Sequence, residues 1–154
     1  MSGGDLGAPL SIDEYGLAGF FGCLPIERDA GEPWEYNDCV YEFVHLGVSV
    51  SFAIAPAYRD VRILVNAGSA TVLEFEAMGV QDVRVHSEKG RESLEVRVTP
   101  AHALWLTLKP QVTLRQSVTG GPLAIMTNRR NRRVQYLKNQ GHDASRMSIL
   151  NRCP

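Results

Sequence analysis

Paired cysteines are missing from this sequence. Cys23, Cys39 and Cys153 are odd in number and none belongs to a C-x-x-C pair, which argues against both a disulfide framework and a zinc site. Long apolar runs are missing too: none approaches the roughly 18–20 residues that span a bilayer, so no membrane association is expected. Residues 1–9 have no basic stretch followed by an apolar one, so they do not read as a secretory signal, and a cytoplasmic location is expected. A Cys23–Cys39 bridge is not expected in that reducing compartment. Nucleotide motifs are absent, since Gly120-Gly121 runs into Pro122 and no G-K-[ST] follows. His86-Ser87-Glu88 matches the H-x-E of zinc deaminases but lacks their downstream P-C-x-x-C. His142, Asp143 and Ser145 are neighbours in sequence, whereas a hydrolase triad is assembled from separated segments. These absences lean toward a non-enzymatic protein with no metal and no cofactor.

What is present is ordinary for a folded domain. Hydrophobic residues at 44% and charged residues at 21% lie far from the signature of disorder, and 154 residues suffice for one core without a covalent staple. Charge is distributed unevenly. Residues 121–154 carry seven basic side chains against Asp143 alone, a balance of +6, while residues 1–120 hold 9 basic and 16 acidic side chains, a balance of −7. The expected organisation is a β domain over 1–120 and a basic C-terminal arm over 121–154.

The chain opens on a helix signal: Ser11 as N-cap, Glu14 completing a capping box, and Leu10 with Tyr15 as a hydrophobic staple. Leu17, Phe20, Phe21 and Leu24 form one apolar stripe, and Gly22 is placed to end the helix. From Val40 the period changes to two. Folding about Leu46-Gly47 sets Tyr41 opposite Phe52 and Phe43 opposite Val50. A turn at Ala67-Gly68-Ser69 brings Val61, Ile63 and Val65 to Phe75, Leu73 and Thr71, with Arg62 opposite Glu74. A third hairpin sets Val83 and Val85 against Val96 and Leu94, with Arg84 opposite Glu95 and Asp82 opposite Arg97. Leu104, Leu106, Leu108, Pro110, Val112 and Leu114 keep one parity and read as a single long strand bent at Pro110. The expected class is mainly β (α+β): an antiparallel meander forming a sandwich or partly open barrel, with one N-terminal helix and a helical or extended basic arm.

Two groups of residues are candidates for function. Arg129, Arg130, Arg132 and Arg133, followed by Tyr136 and Lys138, form a basic cluster suited to protein contact or, alternatively, to nucleic-acid phosphates. Trp34, Tyr36 and Asp38 lie in a loop that could line a small-molecule binding or catalytic site, or whose aromatics could cap the core. Trp105 sits on the strand face opposite the leucines, as an interface residue would or as part of a buried second layer. Arg62, Arg84, Arg97 and Arg115 with Glu74, Glu95 and Asp82 read as cross-strand ion pairs of a solvated sheet. In general character, a compact β-rich body with a basic end, the chain resembles the orphan proteins of bacterial mobile gene cassettes, which implies an accessory role. The expected function is a protein-interaction module that self-associates, as a homodimer, through its acidic body and basic arm.

Overall fold

The computed structural model describes residues 8–119, so the basic arm and its candidates Arg129, Arg130, Arg132, Arg133, Tyr136 and Lys138 lie outside the described residues. Within them, two antiparallel meanders form a five-stranded sheet, β1 to β5, and a four-stranded sheet, β6 to β9, with strands in sequential order and no closed barrel. The strands are β1 (Ile26–Glu27), β2 (Cys39–His45), β3 (Val48–Ala55), β4 (Asp60–Ala67), β5 (Ala70–Ala77), β6 (Asp82–Glu88), β7 (Arg91–Thr99), β8 (His102–Thr107) and β9 (Thr113–Val118).

Two hairpin registers are as the sequence predicts. Tyr41 faces Phe52 and Phe43 faces Val50 across β2–β3, and Asp82, Val83, Arg84 and Val85 face Arg97, Val96, Glu95 and Leu94 across β6–β7. Both turns use two consecutive left-handed residues, Leu46 and Gly47 in one and Lys89 and Gly90 in the other. Positive φ at both positions matches the twist of the flanking strands.

The β4–β5 register differs from expectation by two residues. Ala67 pairs with Ala70 over a two-residue turn, and an irregularity between Val65 and Asn66 leaves Val72 as an extra residue. Arg62 therefore faces Glu76 and not Glu74. A bulge adds one residue to one strand, and together with the shorter turn it preserves parity, so Ile63 still meets an inner residue, Phe75.

The long strand expected across Pro110 is instead a hairpin. β8 and β9 pair with Leu106 opposite Leu114 and Trp105 opposite Arg115, and the Lys109–Pro110 peptide in the turn is cis. A hairpin symmetric about residue 110 pairs residues of equal parity, so the leucine alternation passes through it unbroken.

The inner faces of the two sheets share one core. Tyr41, Phe52, Ile54 and Ile63 from the first sheet join Val83, Leu94, Val96 and Leu106 from the second, all buried. Helix α1 (Glu14–Phe21) touches both β2 and β6 and so bridges the sheets. It buries Leu17, Phe20 and Phe21, and Phe21 stacks 5.5 Å from Tyr41 and lies 5.4 Å from Phe52. Its N-cap is Asp13, not Ser11: the Asp13 carboxylate accepts from the Gly16 amide at 2.7 Å. A Cβ at Gly16 would stand 2.7 Å from Ile12 Cδ1, so a larger residue there would have to displace the tip of that side chain. Ser11 is drawn away by a tertiary partner, donating its amide and hydroxyl to the Asp82 carboxylate of β6 at 2.8 and 2.7 Å. Gly22 adopts the left-handed cap as expected, which leaves Leu24 beyond the helix and exposed. Tyr15 is exposed as well and staples nothing.

Burial alone would raise the Asp82 carboxyl, but hydrogen bonds from Ser11, Arg84 and the Val83 amide outweigh it and hold the group below its ordinary value. A lowered acid contributes stability above the unfolded-state value and loses it as pH falls through the folded one. Asp82→Asn should therefore lower the urea midpoint at neutral pH, and the gap from wild type should narrow below about pH 4. Asp13→Ala should cost about 1 kcal/mol through the lost cap, measured in the same unfolding series at neutral pH.

Candidate functional site

The loop carrying Trp34, Tyr36 and Asp38 is held by its own polar groups. Asn37, 1% exposed, accepts from the Asp29 and Asp38 amides at 3.1 and 2.9 Å and donates to the Asp29 carbonyl at 2.8 Å. The Trp34 indole donates to the Tyr41 hydroxyl at 3.1 Å, and that hydroxyl donates to the Glu14 carbonyl at 3.4 Å. Burial, partly opposed by the Trp34 hydrogen bond, pushes the Tyr41 phenol well up, so it stays protonated and able to donate. Asp38 is spent on Arg62, which reaches both carboxylate oxygens at 2.5 and 2.6 Å. Tyr36 is exposed. A cleft of about 570 Å³ does run between Trp34, Tyr36, Ile12 and Pro56, but Asp38 does not line it. Two polar groups on its wall serve the fold: Asp13 caps α1, and Arg59 donates to the carbonyls of Gln81 and Ala8. Trp34 and Asp38 are thus each engaged in contacts of the fold, and Trp34 and Tyr36 also line the cleft.

Trp105 stands in different surroundings. On the outer face of the second sheet, one row of cross-strand partners reads Arg84, Glu95, Trp105, Arg115. Glu95 is only 3% exposed although it belongs to the face turned away from the core. His86 Nε2 lies 2.7 Å from one of its oxygens and Arg97 donates to the other at 2.5 Å. The His86 ring lies 5.0 Å from the Trp105 ring, whose indole donates to the Ser117 hydroxyl at 3.3 Å. The Arg115 guanidinium sits 5.9 Å from the centre of the Trp105 ring, within cation–π range. Arg97, Glu95, His86, Trp105 and Arg115 therefore form one continuous chain of contacts across four strands.

Expected cross-strand ion pairs resolve differently at the level of atoms. Arg84 and Arg97 sit opposite Glu95 and Asp82 as backbone partners, yet each guanidinium turns to the acid two residues away on its own strand, Asp82 at 2.5 Å and Glu95 at 2.5 Å. That exchange frees the second oxygen of Glu95 for His86. The sequence pattern singles out Trp105 on this face, places Glu95 in a solvated ion-pair face and gives His86 no partner. The partnership of His86, Glu95 and Trp105 needs β8 folded back onto β7, and nothing in the local pattern marks it.

Beside this chain lies an open cleft of about 800 Å³ between the β6–β7 and β8–β9 turns, with Lys89, Arg91, Trp105, Pro110 and Arg115 on its wall. Chemically the face can bind more readily than it can react. Among the described residues no three His, Cys, Asp or Glu side chains meet as a metal site, and no hydroxyl is hydrogen-bonded to His86 as a nucleophile would be. Cys39 is buried, and burial pushes its thiol up to about 11, so no thiolate is available there at neutral pH. No helix among the described residues is long and apolar enough to cross a membrane.

No family model matches this sequence, and no curated protein is detectably similar to it. Among solved structures, a chain of the contact-dependent growth inhibition toxin–immunity protein complex from Klebsiella pneumoniae 342 superposes with a TM-score of 0.59 at 15% identity, covering 69% of this chain and 93% of that one. The likeness is one of fold.

The Glu95 cluster is asymmetric. His86 and Arg97 are 41% and 45% exposed, whereas the Glu95 side chain is 4% exposed, so water can solvate its partners but not the acid. Glu95→Ala should cost about 1–2 kcal/mol, the loss of two hydrogen bonds. The double change His86→Ala with Arg97→Ala leaves the carboxylate buried without partners and should cost more, about 3 kcal/mol or above. Urea unfolding of the two variants checks the order.

Proposed function

We propose that this chain is a non-enzymatic protein-interaction module, which works by holding a partner protein. The observation that carries this reading is the buried Glu95 carboxylate, which holds His86 and Arg97 in place and, through His86, supports Trp105 on a sheet face turned to solvent. Aromatic and arginine side chains held in place before binding contribute most strongly to protein interfaces, because little conformational freedom remains to be lost. The chain of similar fold belongs to a complex of a toxin and an immunity protein. From it we take only the kind of partner, a second protein.

Self-association is the form of this reading that the charge distribution favours. A −7 body and a +6 arm in one chain are complementary between two copies, and complementary surfaces both steer encounter and set register. Light scattering on the full chain should give a mass above the 17.0 kDa of one copy, and truncation after Gly120 should lower it. Raising salt to about 0.5 M should act in the same direction, since exposed charges are then largely screened. An oligomer indifferent to both truncation and salt would remove the arm from the interface, and a monomer at every concentration would remove self-association.

A further inference from the structure

We infer that the cleft beside Trp105 is a carboxylate-binding site that seats an acidic segment of a partner protein, with Arg115, Arg91 and Lys89 as the charge-bearing groups. This rests on the interaction reading above and names the chemistry of the surface that the partner would present.

The body is acidic overall, yet the cations of this cleft are not consumed by it. Among the described residues the carboxylates within ion-pair distance of a cation are Asp38, Asp82 and Glu95, and their partners are Arg28, Arg62, Arg84, His86 and Arg97. Lys89, Arg91 and Arg115 are not among those partners, and all three are exposed. Of the nearest acids, Glu95 lies under His86 and Arg97 with both oxygens used. Glu88 and Glu92 both line the cleft beside the three cations. Glu92 has the parity of Leu94 and Val96, and Glu88, on the outer face, is the cross-strand partner of Arg91. The cleft thus holds three cations against two carboxylates.

A local excess of positive charge in a −7 body favours an anionic group over the chain's own +6 arm as the occupant. Guanidinium groups take carboxylates in a forked geometry, and Trp105 beneath Arg115 offers a flat apolar floor for the adjoining methylenes or ring. A nucleic-acid strand fits less well, because Glu88 stands at the cleft and the surrounding body repels a polyanion. One carboxylate-rich loop meets the cations without running along the acidic flanks.

The test uses the full chain labelled with nitrogen-15, and three probes: capped hexaglutamate, capped hexalysine and hexathymidylate. The sequence holds two tryptophans, so the indole signal of Trp105 is separable from that of Trp34. Hexaglutamate should move the Trp105 indole and the amides around Arg115 saturably, and hexalysine should leave them in place. Arg115→Gln should weaken that binding about tenfold, the effect of losing one charged contact, and Lys89→Gln with Arg91→Gln, which removes two, should weaken it at least as much. Arg28→Gln, an exposed cation at the far end of the other sheet, should leave it unchanged. The inference is overturned if hexaglutamate moves only signals of residues 121–154, if hexathymidylate binds the cleft more tightly than hexaglutamate, or if dilution of the protein alone moves the Trp105 indole, which would make a second copy the occupant. Each result is separate from the light-scattering outcome: a monomeric chain can still bind hexaglutamate at Trp105, and a dimer held through its arm can fail to.

Discussion

The structure depends on one shared core that neither sheet can complete alone. Side chains alternate along a strand, so each meander commits one face to the interior, and the two faces need a third element to seal the gap between them. Helix α1 does this by placing Phe21 against Tyr41 and Phe52. Tyr41 then transmits the constraint outward: its ring lies in the core while its hydroxyl ties the Trp34 loop to the first turn of the helix. The Ser11–Asp82 contact repeats the same join at the second sheet, which is why Ser11 is unavailable as a helix cap.

Once the inner faces are committed, the outer faces are determined by parity, and the two sheets use theirs differently. In the first sheet, the outward residues of β3 are small, and Arg62 of β4 pairs with Asp38. In the second, Glu95 is covered by side chains from its own and both neighbouring strands. A carboxylate buried on an outer face is costly unless both oxygens have partners. His86 and Arg97 meet that requirement, and the consequence is a fixed platform on which Trp105 and Arg115 lie. The arrangement of this face follows from satisfying a buried acid.

Much of this was legible beforehand because strand pairing over short turns is a local problem. Leu46-Gly47 and Lys89-Gly90 announce two-residue turns, and the apolar alternation then leaves one register in each case. The β4–β5 pair differs by two residues because the shorter turn and the bulge at Val72 each shift the count by one, and the two shifts together restore parity. The β8–β9 hairpin was read as a single strand for a related reason, since folding about residue 110 conserves parity on both sides. Periodicity is blind to both events.

The amino-acid sequence by itself therefore determined the fold class, the N-terminal helix with its end at Gly22, the inner faces of the strands, and two hairpin registers. All of these follow from interactions within about a dozen residues. Tertiary structure alone decided that Asp13 and not Ser11 caps the helix, that Asp38 serves Arg62, and that His86, Glu95 and Trp105 meet. Each of those choices is a competition between a local partner and a distant one, and only the assembled strands bring the distant one within hydrogen-bonding reach.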